Sequence, residues 1–395
     1  MDRAREDAVL DPALRPAALP AVPPDQVRQV LLTGATGFLG AFLLAELLRR
    51  GKQVCCLVRP GTGQTAAERL SAHLQRLGIS ATGQAGALRV LTGDLSQPQL
   101  GLSAADYAGL AAQIDVIYHA ASYVNFVRSY DDLRASNVLG VRELLRLSAA
   151  QRGKPLHLVS TLALFFQSEG APAEARPRAV SERDVPELPA GQTSGYLQSK
   201  WVAEELVRAA QERGLPATIY RTGRIAGHSQ TGATANLHDL LNLIIAACSR
   251  LQVYPDWDIE LNLAPVDYIC QALIELSVNV KFTGKALHLF NQTPIAFGNL
   301  MRIIARNRYP LTLVSDLQFR QLVGEAARNS LAAGGLFSKL GILLRTKNHL
   351  FTPRPDYLTP DSQPFLREQG IVCPPIEDAW VARYMGYLHA QGLWD

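Results

Sequence analysis

Short apolar segments alternate with longer amphipathic segments between residues 29 and 223 of the 395-residue chain. Strands are predicted at 29–34, 53–59, 87–95, 114–121, 155–161 and 216–223, with 286–291 as one further strand. Helices are predicted at 38–51, 65–78, 137–150, 194–214 and 267–279. Strands that are apolar throughout and separated by helices are typical of a parallel sheet covered on both faces. With right-handed crossovers, this alternation predicts an α/β fold with a doubly wound parallel sheet.

The regular alternation ends near residue 230, which predicts three parts. Residues 1–25 are expected to form a linker or surface arm without a regular element, because prolines are frequent there. Residues 26–235 and 262–295 are expected to form a Rossmann domain that binds a dinucleotide. Residues 236–261 and 296–395 are expected to form a smaller, helix-rich substrate lobe.

The first predicted strand runs directly into the glycine-rich segment TGATGFLG. Its glycines let backbone N–H groups approach a pyrophosphate, and the following helix directs its positive end at that anion. The position between a strand and a helix favours dinucleotide binding over a plain tight turn. The predicted contact residues are Gly34, Thr36, Gly37, Phe38, Leu39 and Gly40.

The end of the second strand carries Arg59, where an NAD site normally has an acidic residue for the ribose 2′-OH. A guanidinium pairs with a 2′-phosphate through two hydrogen bonds, so Arg59 predicts NADPH as the cofactor. Arg69, in the next helix, is either a second phosphate ligand or an ordinary surface arginine. Asp94 and Leu95, at the end of the third strand, are assigned to the adenine by their position.

The fourth strand closes with YHAAS, beside the expected cofactor. Ala120, Ala121 and Ser122 are predicted to border that cofactor. His119 is interpreted as a packed structural histidine rather than a catalytic one. Asn137 opens the next predicted helix and is interpreted either as its cap or as a tie between the fourth and fifth strands.

Tyr196 and Lys200 lie four residues apart on a predicted helix and therefore share one face of it. A tyrosine has an ordinary pKa of about 10, and the neighbouring ammonium is expected to lower the pKa of Tyr196. The pair predicts a proton donor beside a nicotinamide nucleotide, whose ribose the ammonium can bind.

The fifth strand ends in two hydroxyl residues. Thr161 is predicted to orient a substrate carbonyl, with Ser160 as the alternative, because successive strand residues face opposite sides.

TGATGFLG, GDL, YHAAS, VST and YLQSK, in this order, resemble the extended short-chain dehydrogenase/reductase superfamily. GYLQSKWVAEELV and YRTGRIAGHSQTG further resemble the terminal thioester reductase domains of nonribosomal peptide and polyketide synthases, to which the domains ending carboxylic acid reductases are related. The resemblance covers roughly residues 8–295. It implies a catalytic triad of Thr161, Tyr196 and Lys200. It also implies that Thr222 and Gly223 border the nicotinamide, although Thr222 replaces the proline of many relatives.

The resemblance implies NADPH-dependent release of an acyl or peptidyl thioester from a phosphopantetheinylated carrier protein as an aldehyde, with further reduction to an alcohol left open. It also implies a monomeric domain that follows a carrier domain. Rival interpretations are a fatty acyl-CoA reductase, a nucleotide-sugar epimerase or dehydratase, a domain that cyclises its chain without reduction, and an NADP-binding sensor. Arg59 disfavours the epimerase, and the intact Tyr196–Lys200 pair disfavours the last two.

Composition limits the partners and the compartment. A net charge of +4 gives no reason to expect nucleic-acid binding. Five cysteines without a C-x-x-C pattern, and eight histidines without ligand spacing, predict neither a disulfide framework nor a metal site. Because the sequence shows neither an apolar run of membrane-spanning length nor a signal-peptide core, a cytoplasmic domain away from membranes is expected.

Overall fold

The computed structural model describes residues 2–80, 86–125, 128–165, 179–188, 194–237, 239–307, 310–329, 335–345 and 355–393. The chain divides into two compact units. Unit 1 comprises Met1–Gly223, Ile269–Leu289 and Arg354–Val372, and unit 2 comprises Arg224–Tyr268, Phe290–Pro353 and Cys373–Asp395.

Strands and helices follow each other along both units. The strands are β1 Gln29–Thr33, β2 Gln53–Val58, β3 Leu88–Thr92, β4 Val116–His119, β5 Leu156–Thr161, β6 Ala179–Ser181, β7 Ala217–Thr222, β8 Arg224–Ala226, β9 Val253–Pro255, β10 Glu260–Leu261, β11 Leu263–Pro265, β12 Ala286–Leu289, β13 Ile295–Ala296, β14 Thr312–Val314 and β15 Asp356–Leu358. The α-helices are α1 Asp2–Asp7, α2 Phe38–Arg49, α3 Ala66–Arg76, α4 Ala104–Gln113, α5 Tyr130–Arg134, α6 Gly140–Ala149, α7 Gly195–Glu212, α8 Leu240–Leu251, α9 Val266–Ser277, α10 Phe297–Asn307, α11 Asp316–Asn329, α12 Leu336–Arg345, α13 Ser362–Glu368 and α14 Asp378–Ala390. Among the described helices, none has both the length and the apolar character needed to cross a membrane.

Seven parallel strands of unit 1 form one sheet in the order β12–β7–β5–β4–β1–β2–β3. The strand order reverses at β1, which pairs with β2 on one side and with β4 on the other. A ligand crevice is expected at the carboxyl ends of strands that flank such a reversal. Leu31, Ile117 and Leu158 show that the strand cores are fully buried. The predicted doubly wound parallel sheet is confirmed, and the strand predicted at 286–291 is its edge strand β12.

Unit 1 also includes residues 355–372, which the sequence assigned to the substrate lobe. β15 pairs in parallel with β6. The buried carboxylate of Glu182 accepts hydrogen bonds from the backbone N–H groups of His288, Asp361 and Ser362. These long-range contacts draw the segment into unit 1, and its short elements carry no periodic pattern that predicts them.

Unit 2 is rich in helices and has a core of its own, to which Phe297, Phe319 and Trp380 contribute. The sequence placed residues 224–235, 262–268 and 290–295 in the Rossmann domain, whereas the structure places them in unit 2. The physical reason is that β8 pairs in parallel with β11, a ladder separate from the large sheet.

The first residues of the chain form a regular element, contrary to the prediction for residues 1–25. Helix α1 lies ahead of the first proline, which is at position 12, so no ring interrupts its hydrogen bonds. Ala4, Leu10 and Leu14 are buried in a hydrophobic core of unit 1. The segment is therefore an integral part of unit 1 rather than a linker.

Candidate dinucleotide-binding and active site

Glycines shape the loop between β1 and α2. Gly34 has a φ of +88°, and a Cβ atom built there would lie 2.5 Å from the backbone N of Ala121. A Cβ atom on Gly40 would overlap the carbonyl O of Gly34. Gly37 is the N-cap of α2, and its N–H donates to the carbonyl O of Gly34 over 2.8 Å. This backbone cradle at a helix N-terminus fits the pyrophosphate of a dinucleotide.

The other predicted loop residues differ in burial, and therefore in which of their atoms can reach a ligand. Thr36 is half-buried, whereas Phe38 and Leu39 are buried. The Phe38 ring packs edge-to-face on Phe42, with ring centroids 5.6 Å apart. Phe38 and Leu39 can therefore meet a ligand only through the backbone N–H groups of the first helical turn.

The end of β4 forms the opposite wall of the cradle. The Ala120 N–H donates to the carbonyl O of Thr33 over 3.1 Å, and Ala121 lies against Gly34. The hydroxyl Oγ of Ser122 is buried and finds no hydrogen-bond partner among the described residues. Since buried polar groups normally have partners, this hydroxyl fits a site that a ligand completes.

His119 has the structural role that the sequence suggested. Its Nδ1 and the Thr33 Oγ1 share a hydrogen bond of 2.7 Å in the buried space between β4 and β1. Burial lowers the pKa of His119 to about 3, and the nearby Lys200 ammonium acts in the same direction. The neutral imidazole therefore joins two strands directly beneath the cradle.

The two arginines predicted for the 2′-phosphate lie together after β2. Arg59 is exposed, and the Arg69 guanidinium donates to the carbonyl O of Arg59 over 3.0 Å. This hydrogen bond brings the α3 arginine to the strand end where a ribose phosphate is expected. Guanidinium groups provide the positive charge and the paired donors that a phosphate requires.

Sequence reasoning missed His73, which joins α3 to the glycine loop. Its Nε2 lies 3.3 Å from the carbonyl O of Gly37, and its Nδ1 lies 2.7 Å from Nη2 of Arg76. Burial lowers the pKa of His73, so a neutral ring that donates from Nε2 and accepts at Nδ1 satisfies both contacts. The available signal was spacing, because Arg69 and His73 are four residues apart on α3.

Asp94 and Leu95 follow β3, as predicted, but both have contacts within the protein. The Asp94 Oδ1 accepts hydrogen bonds from the Ser96 N–H and hydroxyl, at 2.9 and 2.8 Å. Leu95 packs against Gly140, where a Cβ atom would lie 3.1 Å from the Leu95 Cβ. Oδ1 of Asp94 thus stabilises the turn that ends this strand.

Tyr196 and Lys200 are both buried in the first turns of α7. The Lys200 ammonium donates to the carbonyl O of Val159 on β5 over 2.9 Å. Burial lowers the pKa of Lys200 to about 8, although the Glu204 carboxylate raises it. The expected net lowering of the Tyr196 pKa is wrong, because burial of the phenol raises that pKa. The phenol therefore holds its proton at neutral pH, as a proton donor must.

The two hydroxyls that end β5 have different surroundings. The Ser160 hydroxyl donates to Oε1 of Glu204 over 2.6 Å in a buried network. Thr161 is half-buried, and its Oγ1 accepts from the Ala163 N–H over 3.1 Å. Ala163 in turn packs against the small cluster that contains Tyr196. Ser160 thus donates to a carboxylate, whereas Thr161 lies at the strand end and is hydrogen-bonded to Ala163, which packs against the cluster of Tyr196.

Thr222 and Gly223 lie at the carboxyl end of β7, next to β5. Thr222 is paired with Thr161 in the strand register, and its hydroxyl donates to the carbonyl O of Ser160 over 3.2 Å. The Gly223 N–H donates to the carbonyl O of Leu289 over 2.9 Å. The structure therefore brings these residues to the same edge of the sheet as Thr161.

Residues 32–273, which include the cradle, the Tyr196–Lys200 pair and β7, match the family model described as Male sterility protein. The chain belongs to the Male sterility protein family. This is a family of NAD-binding domains. The chain is accordingly an NAD(P)-binding oxidoreductase of the extended short-chain dehydrogenase/reductase type.

Three relatives of this family member are informative. The chain is 36% identical to one polypeptide of the linear gramicidin synthase of Brevibacillus parabrevis. The match extends over 389 residues and covers 98% of this chain and 8% of that protein. It is 35% identical over 373 residues to aldehyde reductase lnaA of Aspergillus flavus, covering 92% of this chain and 33% of that protein. The crystal structure of the terminal R domain from the myxalamid PKS-NRPS biosynthetic pathway matches with a TM-score of 0.88 and 37% identity, over 99% of this chain and 98% of that chain. The predicted resemblance to terminal reductase domains is confirmed. The chain spans about a third or less of the two curated relatives.

The structure gives Asn137 neither of the two roles that the sequence suggested, a helix cap or a tie between two strands. The helix begins earlier, at Tyr130 after its cap Ser129, so Asn137 lies inside a π-helical turn, Ala135–Leu139. Its Oδ1 accepts from the Tyr123 N–H over 2.8 Å, and its Nδ2 donates to the Ser199 hydroxyl over 3.1 Å. The side chain therefore joins the segment after β4 to α7 in this family member, and neither caps a helix nor joins two strands.

Proposed function

We propose that the chain is an NADPH-dependent thioester reductase that releases a carrier-bound acyl or peptidyl chain as an aldehyde. The observation that carries this proposal is the buried Tyr196–Lys200 pair, at the edge of the sheet where Thr161 and the glycine cradle also lie. A likeness over nearly the full length of a terminal reductase domain supports thioester reduction over nucleotide-sugar chemistry. The same pair argues against a domain that binds NADP without turnover.

The cofactor, when bound, supplies a hydride to the thioester carbon. Thr161 and Tyr196 donate hydrogen bonds to the thioester oxygen, where negative charge develops. Donors placed in advance for such charge stabilise it by about 3–4 kcal/mol each. Tyr196 then transfers its proton to that oxygen, and Lys200 stabilises the phenolate left behind. The resulting thiohemiacetal loses its C–S bond, which gives the aldehyde and the free thiol of the carrier arm.

NADPH is proposed in preference to NADH because of the two arginines after β2. The Arg69 guanidinium is hydrogen-bonded to the backbone carbonyl of Arg59, and the position of Arg59 carries no carboxylate that would repel a 2′-phosphate. The site residues proposed for the remainder of the nucleotide are those of the cradle, the segment after β4, Asp94 and Leu95, and the end of β7.

The proposed partner is a phosphopantetheinylated carrier protein. Support comes from relatives that are parts of much longer synthases, of which the linear gramicidin synthase is one. A fatty acyl-CoA reductase would perform the same chemistry on a soluble thioester. Comparing turnover of one acyl group on a carrier protein and on coenzyme A separates the two functions, since a carrier-specific enzyme favours the former.

Tyr196→Phe tests the proposal directly. The variant is expected to lose about 10²–10⁴-fold in kcat, because it lacks the proton donor, while its NADPH affinity stays nearly unchanged. The assay follows NADPH absorbance with an acyl-pantetheine thioester, and NADPH consumed per thiol released separates aldehyde from alcohol formation. Tyr107→Phe, which removes a half-buried hydroxyl from α4, is the matched control and should keep full activity. Full activity in Tyr196→Phe would refute the proposed mechanism.

A further inference from the structure

The N-terminal arm, defined here as residues 2–14, is bound along helices that support the active site. The guanidinium of Arg213, the C-cap residue of α7, donates to the carbonyl O atoms of Leu10 and Asp11, at 3.2 and 2.5 Å. The Arg142 guanidinium on α6 donates to the carbonyl O of Asp7 over 2.7 Å. Backbone carbonyl groups of the arm are thus held by side chains of two helices.

The Asp7 side chain joins the arm to the short helix α5. Its Oδ2 accepts from the Tyr130 hydroxyl over 2.8 Å. Arg134 donates to both carboxylate oxygens, over 2.5 Å from Nε and 2.7 Å from Nη2. Burial raises the pKa of Asp7, but the hydrogen bonds from Arg134 and Tyr130 more than offset this and leave that pKa below its ordinary value. A paired and charged carboxylate of this kind fixes geometry through two parallel hydrogen bonds.

Helix α5 is in direct contact with the start of α7. A Cβ atom on Gly195 would overlap the backbone N of Tyr130, so the two backbones touch at this point. Leu133 is fully buried and belongs to one cluster with Tyr196 and Leu197. The contacts therefore run from Asp7 through α5 to the residue that precedes the phenol and to the phenol ring itself.

We propose that Asp7 is a positioning residue, which holds α5 and thereby places the Tyr196 phenol for proton transfer. The inference rests on the role of Tyr196 in the proposed function. A misplacement of about 1 Å at a reacting group can cost on the order of 100-fold in rate, so a remote contact of this kind can affect turnover. The arm is then part of the active-site scaffold.

The test begins with Asp7→Asn in the full chain, which keeps the shape of the side chain and removes its charge. Turnover of an acyl-pantetheine thioester is expected to fall about tenfold in kcat, with an unchanged Kd for NADPH. Arg3→Ala is the matched control, because the exposed Arg3–Asp131 ion pair joins the same arm to the same helix. Exposed pairs contribute little, so the control should keep its kcat.

Combining Asp7→Asn with Tyr196→Phe separates positioning from simple destabilisation. If Asp7 acts through the phenol, Asp7→Asn causes no further loss of kcat in the Tyr196→Phe chain. An additional tenfold loss in that background, or wild-type kcat in Asp7→Asn alone, would overturn the inference. Tyr130→Phe, which removes one hydrogen bond to Asp7, carries the same test if Asp7→Asn fails to fold.

Amide hydrogen exchange supplies a readout that does not depend on turnover. Asp7→Asn is expected to speed exchange at residues 195–200 well below the melting temperature, and Arg3→Ala is not. Unchanged exchange there would contradict the inference. If Tyr196→Phe alone retains full activity, the proposed function fails, whereas this exchange measurement still shows whether Asp7 holds the start of α7.

Discussion

The environment of Lys200 leads to a pH effect on cofactor binding. Burial lowers the pKa of this ammonium to about 8, with a partial opposing contribution from Glu204. The side chain is charged below that pH and neutral above it, so its attraction for the nucleotide is lost as pH rises through about 8. NADPH affinity, measured by fluorescence, is expected to weaken between about pH 7 and about pH 9. Lys200→Met should remove this dependence, and a flat wild-type profile would contradict the assignment.

Arg59 is expected to determine the choice between NADPH and NADH. Hydrogen bonds to a charged group contribute about 1.5–3 kcal/mol, so Arg59→Ala should weaken NADPH binding by about 10–100-fold and NADH binding far less. Arg69→Ala should show a similar preference if the second guanidinium also binds the phosphate. Arg89→Ala, at an exposed arginine of β3, is the control. Equal losses for the two nucleotides would exclude the 2′-phosphate role.

The placement of residues that follows from their spacing could be predicted from the sequence, whereas properties that depend on burial could not. The four-residue spacing of Tyr196 and Lys200 correctly predicted that both lie on one helix. The direction of the pKa shift of Tyr196 was not predictable, because its burial comes from Leu133 and Ala163, which lie on other elements. Desolvation depends on the complete packing, which no local pattern contains.

At the level of elements, the glycine loop gives a sharp steric prediction. A methyl group on Gly40 overlaps the Gly34 carbonyl, so Gly40→Ala must move α2 away from the loop. We expect destabilisation by about 1–3 kcal/mol, which is typical of overpacking, together with at least about tenfold weaker NADPH binding. Gly109→Ala, on α4 with open space around its Cβ position, is the control and should not destabilise the chain. Unchanged NADPH affinity in Gly40→Ala would contradict the proposed cradle.

Elements that follow a periodic pattern were predicted, and elements held by distant partners were not. The strands of the large sheet are short apolar runs, which can be recognised in the sequence alone. In contrast, α1 is held by the hydrogen bonds of Asp7 with Arg134. The segment that contains β15 is held in unit 1 by hydrogen bonds to the Glu182 carboxylate. Such contacts join residues far apart in sequence, so the arm and the 355–372 segment were assigned incorrectly.

Among the described residues, one hydrophobic cluster lies around the parallel sheet and another lies among the helices of unit 2. Every residue proposed for the cofactor, from Gly34 to Gly223, lies in unit 1. A ligand that binds only the folded form stabilises the part of the protein that forms its site. Cofactor binding is therefore expected to stabilise the two units unequally.

NADPH should slow amide exchange in β1, β4 and α7 of unit 1, and leave exchange in α10 and α14 of unit 2 unchanged. At about 100 times its Kd, a ligand stabilises the folded form by about 2.7 kcal/mol. Amide exchange that requires unfolding of unit 1 is then slowed by about 100-fold. Hydrogen exchange followed by mass spectrometry measures this for each unit separately. In Gly40→Ala, whose NADPH binding is expected to be at least about tenfold weaker, the slowing at the same NADPH concentration should fall to about tenfold or less. Equal slowing in both units would contradict this prediction.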